Sequence, residues 1–187
     1  MRTTCCILAV ATTLVVLLPT QTRRILAQAS EVIDDPEVYA VYASVLPARF
    51  GSGDTDLTRV AVLQETRSHM NCLPQFGQEW NPVVENYKQE NARVRTLLPG
   101  FNLGLPYTLV APAILSSPDA QTYARYPNGK LLSLSAVGFD ETKTRALVTV
   151  QYACGFNCGG GWHILKQKDG GRWVQPKGNV PTCTWIS

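Results

Sequence analysis

Histidine is almost missing from this chain: His69 and His163 are the only two in 187 residues. Proton transfer near neutral pH falls to histidine more often than to any other side chain, so such chemistry has few places to reside. No serine is framed as G-x-S-x-G, and no glycine loop leads through Lys-Ser/Thr into a helix. Both absences remove a common catalytic architecture, the hydrolase elbow and the phosphate cradle. Long hydrophobic runs are missing too. The longest, Cys6 to Leu18, has 13 residues, short of the about 20 that span a bilayer core. No internal repeat or low-complexity tract occurs.

That apolar run fits a different purpose. Arg2 precedes it and Ala27-Gln28-Ala29 follows it, the three-part pattern of a secretory signal. The pattern predicts cleavage after Ala29, with residues 1–29 as signal and residues 30–187 as one domain, secreted or periplasmic. Arg2, Arg23 and Arg24 would leave with the signal, reducing 17 basic residues to 14 against 14 acidic ones. A neutral domain carries no electrostatic footprint for nucleic acid or an anionic membrane, and no membrane span remains after cleavage. Lys88, Arg93 and Arg95, interleaved with Glu85 and Glu90, read as a solvated helical face.

Cys72, Cys154, Cys158 and Cys183 would remain after cleavage, an even number that in an exported chain predicts two disulfides. Cys154 to Gly161 reads as an eight-residue hairpin loop, four of its residues glycine. A Cys154–Cys158 bond would close five residues and stabilise by about 2 kcal/mol; Cys72–Cys183 would contribute about 5 kcal/mol. Crossed pairings give similar totals, and only proximity favours the short bond. Cys154, Cys158 and His163 supply three metal ligands where structural zinc needs four. A redox pair has two intervening residues and a following helix, whereas this one has three and a following strand. A stapled loop is the expectation, with no metal and no cofactor.

Asp35-Pro36, Asn81-Pro82 and Ser117-Pro118 each place an N-cap candidate before a first-turn proline. The first starts a helix with Val38, Val41, Tyr42 and Val45 on one face, stopping near Leu46-Pro47. The second carries the weaker stripe Val84, Tyr87, Asn91 and Val94; the third is short, reaching about Tyr126. Strands are predicted at Arg59 to Glu65, Tyr107 to Ala111, Leu131 to Phe139, around Ala146 to Tyr152, Trp162 to Gln167, and Arg172 to Gln175. Asp140 to Lys143 and Asp169-Gly170-Gly171 read as turns. The expected fold class is α+β: N-terminal helices packed on one face of a twisted antiparallel sheet, whose four C-terminal strands form a meander.

His163 belongs to a strand on which Trp162 and Ile164 face one way and His163 and Leu165 the other. A triad of Ser68, His163 and Asp169, or a carboxylate pair of Glu65 and Glu79, can be drawn, but no spacing supports either. Trp162, Trp173 and Trp185 lie on or just after the last strands, as core or as an aromatic platform. Two functional classes follow. One is a non-catalytic domain that binds a small ligand or protein through those aromatics. The other is a small extracellular hydrolase with His163 as general base.

The C-terminal segment resembles an uncharacterised family of secreted bacterial proteins. The pattern is Ser135-x-Val137-Gly138-Phe139-Asp140, then Ala146-Leu147-Val148, then Cys154-Gly155-x-x-Cys158-Gly159-x-Gly161. It continues through Asp169-Gly170 and Trp173 to Trp185-Ile186-Ser187, departing from the family where Gly171 adds a second glycine after Asp169. The resemblance implies export and fold, and no catalytic residue. Two helices before such a sheet are also similar to NTF2-like cone folds, which implies a pocket.

Overall fold

The computed structural model describes residues 31–50, 59–68, 73–100, 102–116, 120–155, 157–177 and 184–186. The expected signal, His69, and Cys72 and Cys183 with their expected bond lie outside these residues. Strand β1 (Glu31–Ile33) leads into helix α1 (Pro36–Phe50) and strand β2 (Val60–Leu63). Helix α2 (Asn81–Glu90), strands β3 (Arg95–Leu97) and β4 (Tyr107–Val110), and helix α3 (Ala120–Ala124) follow. The C-terminal part contributes β5 (Leu131–Leu134), β6 (Gly138–Phe139), β7 (Arg145–Gly155), β8 (Cys158–Asp169), β9 (Arg172–Val174) and β10 (Thr184–Ile186).

Helix α1 starts as its sequence demands. Asp35 Oδ1 accepts the Glu37 N–H at 2.9 Å, and Pro36 opens the first turn. Val38, Val41, Tyr42 and Val45 are buried along one face. The helix does not stop at Leu46, however, but continues through Pro47 to Phe50. Proline cannot donate to the carbonyl four residues back. One residue beyond that carbonyl, Lys166 Nζ from β8 donates to the Ser44 carbonyl at 3.0 Å and ties the helix to the sheet.

Helices and a mixed, mostly antiparallel sheet make the fold α+β. The main sheet runs β10-β8-β7-β5-β2-β4, with β6 beside β7 and β9 beside β8. The expectation of an antiparallel sheet needs correction, because β2 is parallel to both β4 and β5. Helix-bearing connections separate these strands in sequence, and such crossovers permit parallel neighbours. A parallel pair of β1 and β3 forms a second, small sheet. Tyr39 ties it to α1, donating to the Ile33 carbonyl at 2.5 Å and accepting the Leu98 N–H at 3.1 Å.

A second correction concerns the layers. Residues Ala146, Val148 and Val150 of β7 pack with the α1 face, whereas Leu147 packs with Val83 and Tyr87 of α2. Successive strand residues point to opposite faces, so α1 and α2 cover opposite sides of the sheet. Tyr123 of α3 packs with Ala61, Leu63 and Leu131 in a third cluster. Strand periodicity alone could not reveal this, since both faces of β7 are apolar.

Between β5 and β6 the strand lapses at residues 135–137, and α2 replaces the missing pairing. Asn91 bonds both backbone groups of Ala136, accepting its N–H at 2.9 Å and donating to its carbonyl at 3.0 Å. Asn86 Oδ1 accepts the Phe139 N–H at 2.7 Å. The helix can come this close because residue 138 is glycine. A Cβ there would lie 2.4 Å from Tyr87 Cβ and 2.5 Å from Tyr87 Cα and N. We expect Gly138→Ala to push α2 off the sheet and to cost about 1–3 kcal/mol, read as a lower urea midpoint at unchanged slope. An unchanged midpoint would show that α2 shifts freely and that the close approach carries no constraint.

Candidate functional site

His163 is 1% exposed, with its ring beneath α2. Its Nδ1 lies 2.7 Å from Thr149 Oγ1, which in turn lies 2.5 Å from the Tyr87 hydroxyl. The Tyr87 and His163 rings meet edge to face at 6.2 Å. Ser135 extends the chain: its Oγ accepts the Thr149 N–H at 2.8 Å, and its carbonyl accepts the Tyr42 hydroxyl at 2.7 Å. Burial pushes the Tyr87 hydroxyl above its ordinary pKa, against the opposing pull of its bonds to Thr149 and Ser135. This is a sealed polar chain inside the core. The other residues of the sequence-drawn catalytic sets sit apart in role: Asp169 ends β8, Glu65 bridges Thr96 through its backbone, and Glu79 lies on an exposed 3-10 turn.

The aromatics divide. Trp173 is 8% exposed and donates its Nε1–H to Glu37 Oε2 at 3.1 Å. Phe139 stands 5.8 Å from its ring and Lys168 Nζ 5.1 Å above it. Trp162 is half-buried and stacks on Tyr152 at 5.7 Å. The two rings are diagonal neighbours on the ladder, since Tyr152 pairs with Gly160 and Trp162 with Val150. Trp185 enters as backbone, pairing with Gly161 on β10.

Cys154 and Cys158 are disulfide-bonded, with Cα atoms 5.0 Å apart. The predicted eight-residue loop is much shorter in fact. Ala153 pairs with Gly159 and Gly155 with Cys158, so Cys154 is the extra residue of a bulge and the three glycines are strand. Bulging brings both sulfurs to one side of the hairpin tip. The Arg95 expectation also changes: it lies on β3, not a helix, and is 14% exposed, with Glu90 at 2.6 Å and Glu31 at 3.4 Å.

A cleft of about 460 Å³ opens between the start of α1, the side of α2 and the segment from Ala136 to Lys143. Its inner wall is apolar: Ile33, Val38, Ala136, Val137 and Phe139, all buried. Its rim carries six carboxylates (Glu31, Asp34, Asp35, Glu90, Asp140 and Glu141) and two cations, Arg95 and Lys143. Lys143 reaches across to Asp35 Oδ2 at 2.6 Å, joining the β6–β7 turn to the α1 cap. Asp140 shapes that turn, taking the Thr144 and Arg145 N–H groups at 2.6 and 2.9 Å and the Thr144 hydroxyl at 2.7 Å. Sequence inspection meets these carboxylates as a helix cap and a polar turn. Only the fold puts the two ends beside each other.

Among the described residues, no group of three or more His, Cys, Asp or Glu side chains is placed to hold a metal ion. No described helix is long and apolar enough to cross a membrane. Comparison with protein-family models, curated proteins and solved structures finds no match to the chain.

The rim carboxylates link stability to pH. Burial alone would raise the Asp35 carboxyl, but the Lys143 ammonium and the Glu37 N–H outweigh it and hold it below its ordinary 3.8. Burial likewise opposes, and the Arg145 N–H and Thr144 groups overcome, the shift at Asp140, which also sits below 3.8. A depressed folded pKa means stability that is full above the unfolded value and lost as pH falls through the folded one. Urea midpoints should therefore hold from neutral pH to about 4 and then fall as these carboxyls take up protons. The double variant Asp35→Asn, Asp140→Asn should start less stable at neutral pH and fall less steeply in acid. Parallel curves for the two proteins would exclude these carboxylates as the source.

Proposed function

We propose that this protein is an exported, disulfide-stapled domain that binds a small ligand in the cleft beside α2 and does not transform it. The observation that carries this is the cleft itself, whose volume and apolar wall with a polar rim match small-molecule sites. Its described lining includes no Ser, Thr, Cys, His or Tyr, so neither a hydroxyl or thiol nucleophile nor a histidine base stands there. His163, the base of the competing hydrolase proposal, is held inside the core with Thr149 as partner. A platform of C-terminal aromatics has less support, because Trp173 is buried. A pocket between helices and sheet is also what the likeness to NTF2-like cone folds implies. The signal pattern, the paired Cys154 and Cys158 and the resemblance to secreted bacterial proteins support export.

Amide NMR of the protein, titrated with the small-molecule fraction of spent growth medium, tests the binding proposal. Shifts should concentrate at Asp35, Val137 and Phe139, and no component of the fraction should be consumed. Time-dependent conversion of a component, abolished by His163→Asn, would overturn binding in favour of hydrolysis. Shifts confined to Tyr152 and Trp162 would move the site to the aromatics. Export has its own measurement: the exported protein should begin at Ser30, and material beginning at Met1 would remove that part of the proposal.

A further inference from the structure

We infer that the cleft's ligand is a small organic cation, an alkylammonium on a short apolar body; this rests on the cleft being the ligand site. The charges already paired decide the sign. Both cations of the rim are engaged, Arg95 by Glu90 and Glu31 and Lys143 by Asp35. An anionic ligand would have to displace a carboxylate from one of them while facing the remainder of a six-to-two excess. Asp34 and Glu141, by contrast, make no hydrogen bond or ion pair among the described residues. Both line the cleft, Asp34 from the link between β1 and α1 and Glu141 from the β6–β7 turn.

The chain itself demonstrates the receptive chemistry. The Lys143 ammonium rests 2.6 Å from Asp35 and 5.7 Å from the centre of the Phe139 ring, a carboxylate on one side and an aromatic face on the other. Lys143 adopts φ +50°, a left-handed backbone that non-glycine residues rarely take. Its side chain is an internal ammonium at the edge of an apolar wall made by Val38, Val137 and Phe139. A ligand of the same kind would place its alkyl body on that wall and its charge between Asp34 and Glu141. The absence of three converging ligands among the described residues disfavours a metal ion as the cation. Both rim carboxylates remain wet enough for an ammonium to keep part of its hydration, which avoids the penalty of full burial.

The probe is n-butylammonium, with n-butanol and butyrate as neutral and anionic counterparts, followed by amide NMR at constant ionic strength. Butylammonium should produce saturable shifts at Asp34, Val137 and Glu141 that shrink as sodium chloride is raised, while the other two leave those signals in place. Asp34→Asn, Glu141→Gln removes no side-chain bond among the described residues, so its spectrum should stay dispersed while butylammonium affinity drops about five- to tenfold. Binding of butyrate or butanol in the cleft at equal or higher affinity would overturn the cationic class and leave the cleft standing as a site. Unchanged butylammonium affinity in the double variant would overturn the inference, as would no shift with butylammonium. Neither result touches the medium titration, on which the cleft as a site stands or falls separately.

Discussion

Helix α2 lies against the sheet at a distance only glycine allows, and much of the molecule follows from that approach. With Tyr87 backbone over Gly138, the Tyr87 side chain is carried across β7 to reach Thr149. Asn86, next to Tyr87, and Asn91, one turn further on, come within bonding range of the strand interruption. Each unpaired backbone group there would cost about 1–3 kcal/mol if left buried without a partner. The side-chain amides remove that cost, and so the lapse from 135 to 137 persists as a stable feature. That lapse is also the inner wall of the cleft.

The buried polar chain has a direction. Thr149 has a single hydroxyl proton and stands between Tyr87 and His163, so it can donate to only one of them. The direction of that proton couples the His163 tautomer to the Tyr87 hydroxyl orientation. Such chains specify one packing more sharply than apolar contacts do, because a rotated partner leaves a buried polar atom without a bond. This is a sufficient account of His163 without catalysis. The same network explains the neighbouring segment residue by residue. Ser135 bridges to Thr149, Val137 fills the core and Gly138 admits the helix, while Phe139 meets the Trp173 ring and Asp140 builds the turn.

What could be read from the sequence was whatever depends on neighbours along the chain. The Asp35-Pro36 start, the alternation of Trp162 to Leu165 and the turn at Asp140 are local, and the fold keeps them. The stripe expected along α2 holds in part: Tyr87 is buried and Val84 packs beside it, but Val83 is buried more deeply and Val94 is 52% exposed. A ten-residue helix with few apolar positions leaves its face to be chosen by what it packs on. The parallel pairing of β2 was illegible because it depends on crossovers, which carry no periodic mark. The glycine run misled for a related reason. Glycine usually signals a loop, but Gly159, Gly160 and Gly161 pair with β7 as strand.

The cleft was legible in neither way, since its two lips come from residues about a hundred positions apart. Lys143 bonds Asp35 across that gap, and the pair links the α1 cap to the β6–β7 turn. Asp35 therefore serves the fold twice, by capping α1 and by holding the turn, and its charge is satisfied in doing so. Asp34 and Glu141 serve the fold in no comparable way, although each adjoins a carboxylate that does. Placing two uncompensated charges beside two compensated ones raises local repulsion, which works against stability. A partner of opposite charge relieves it. The scaffold thus has anchored carboxylates that keep the lips in position and others beside them on the cleft lining, and a cation entering there lowers the free energy of the folded state by relieving repulsion the fold already contains.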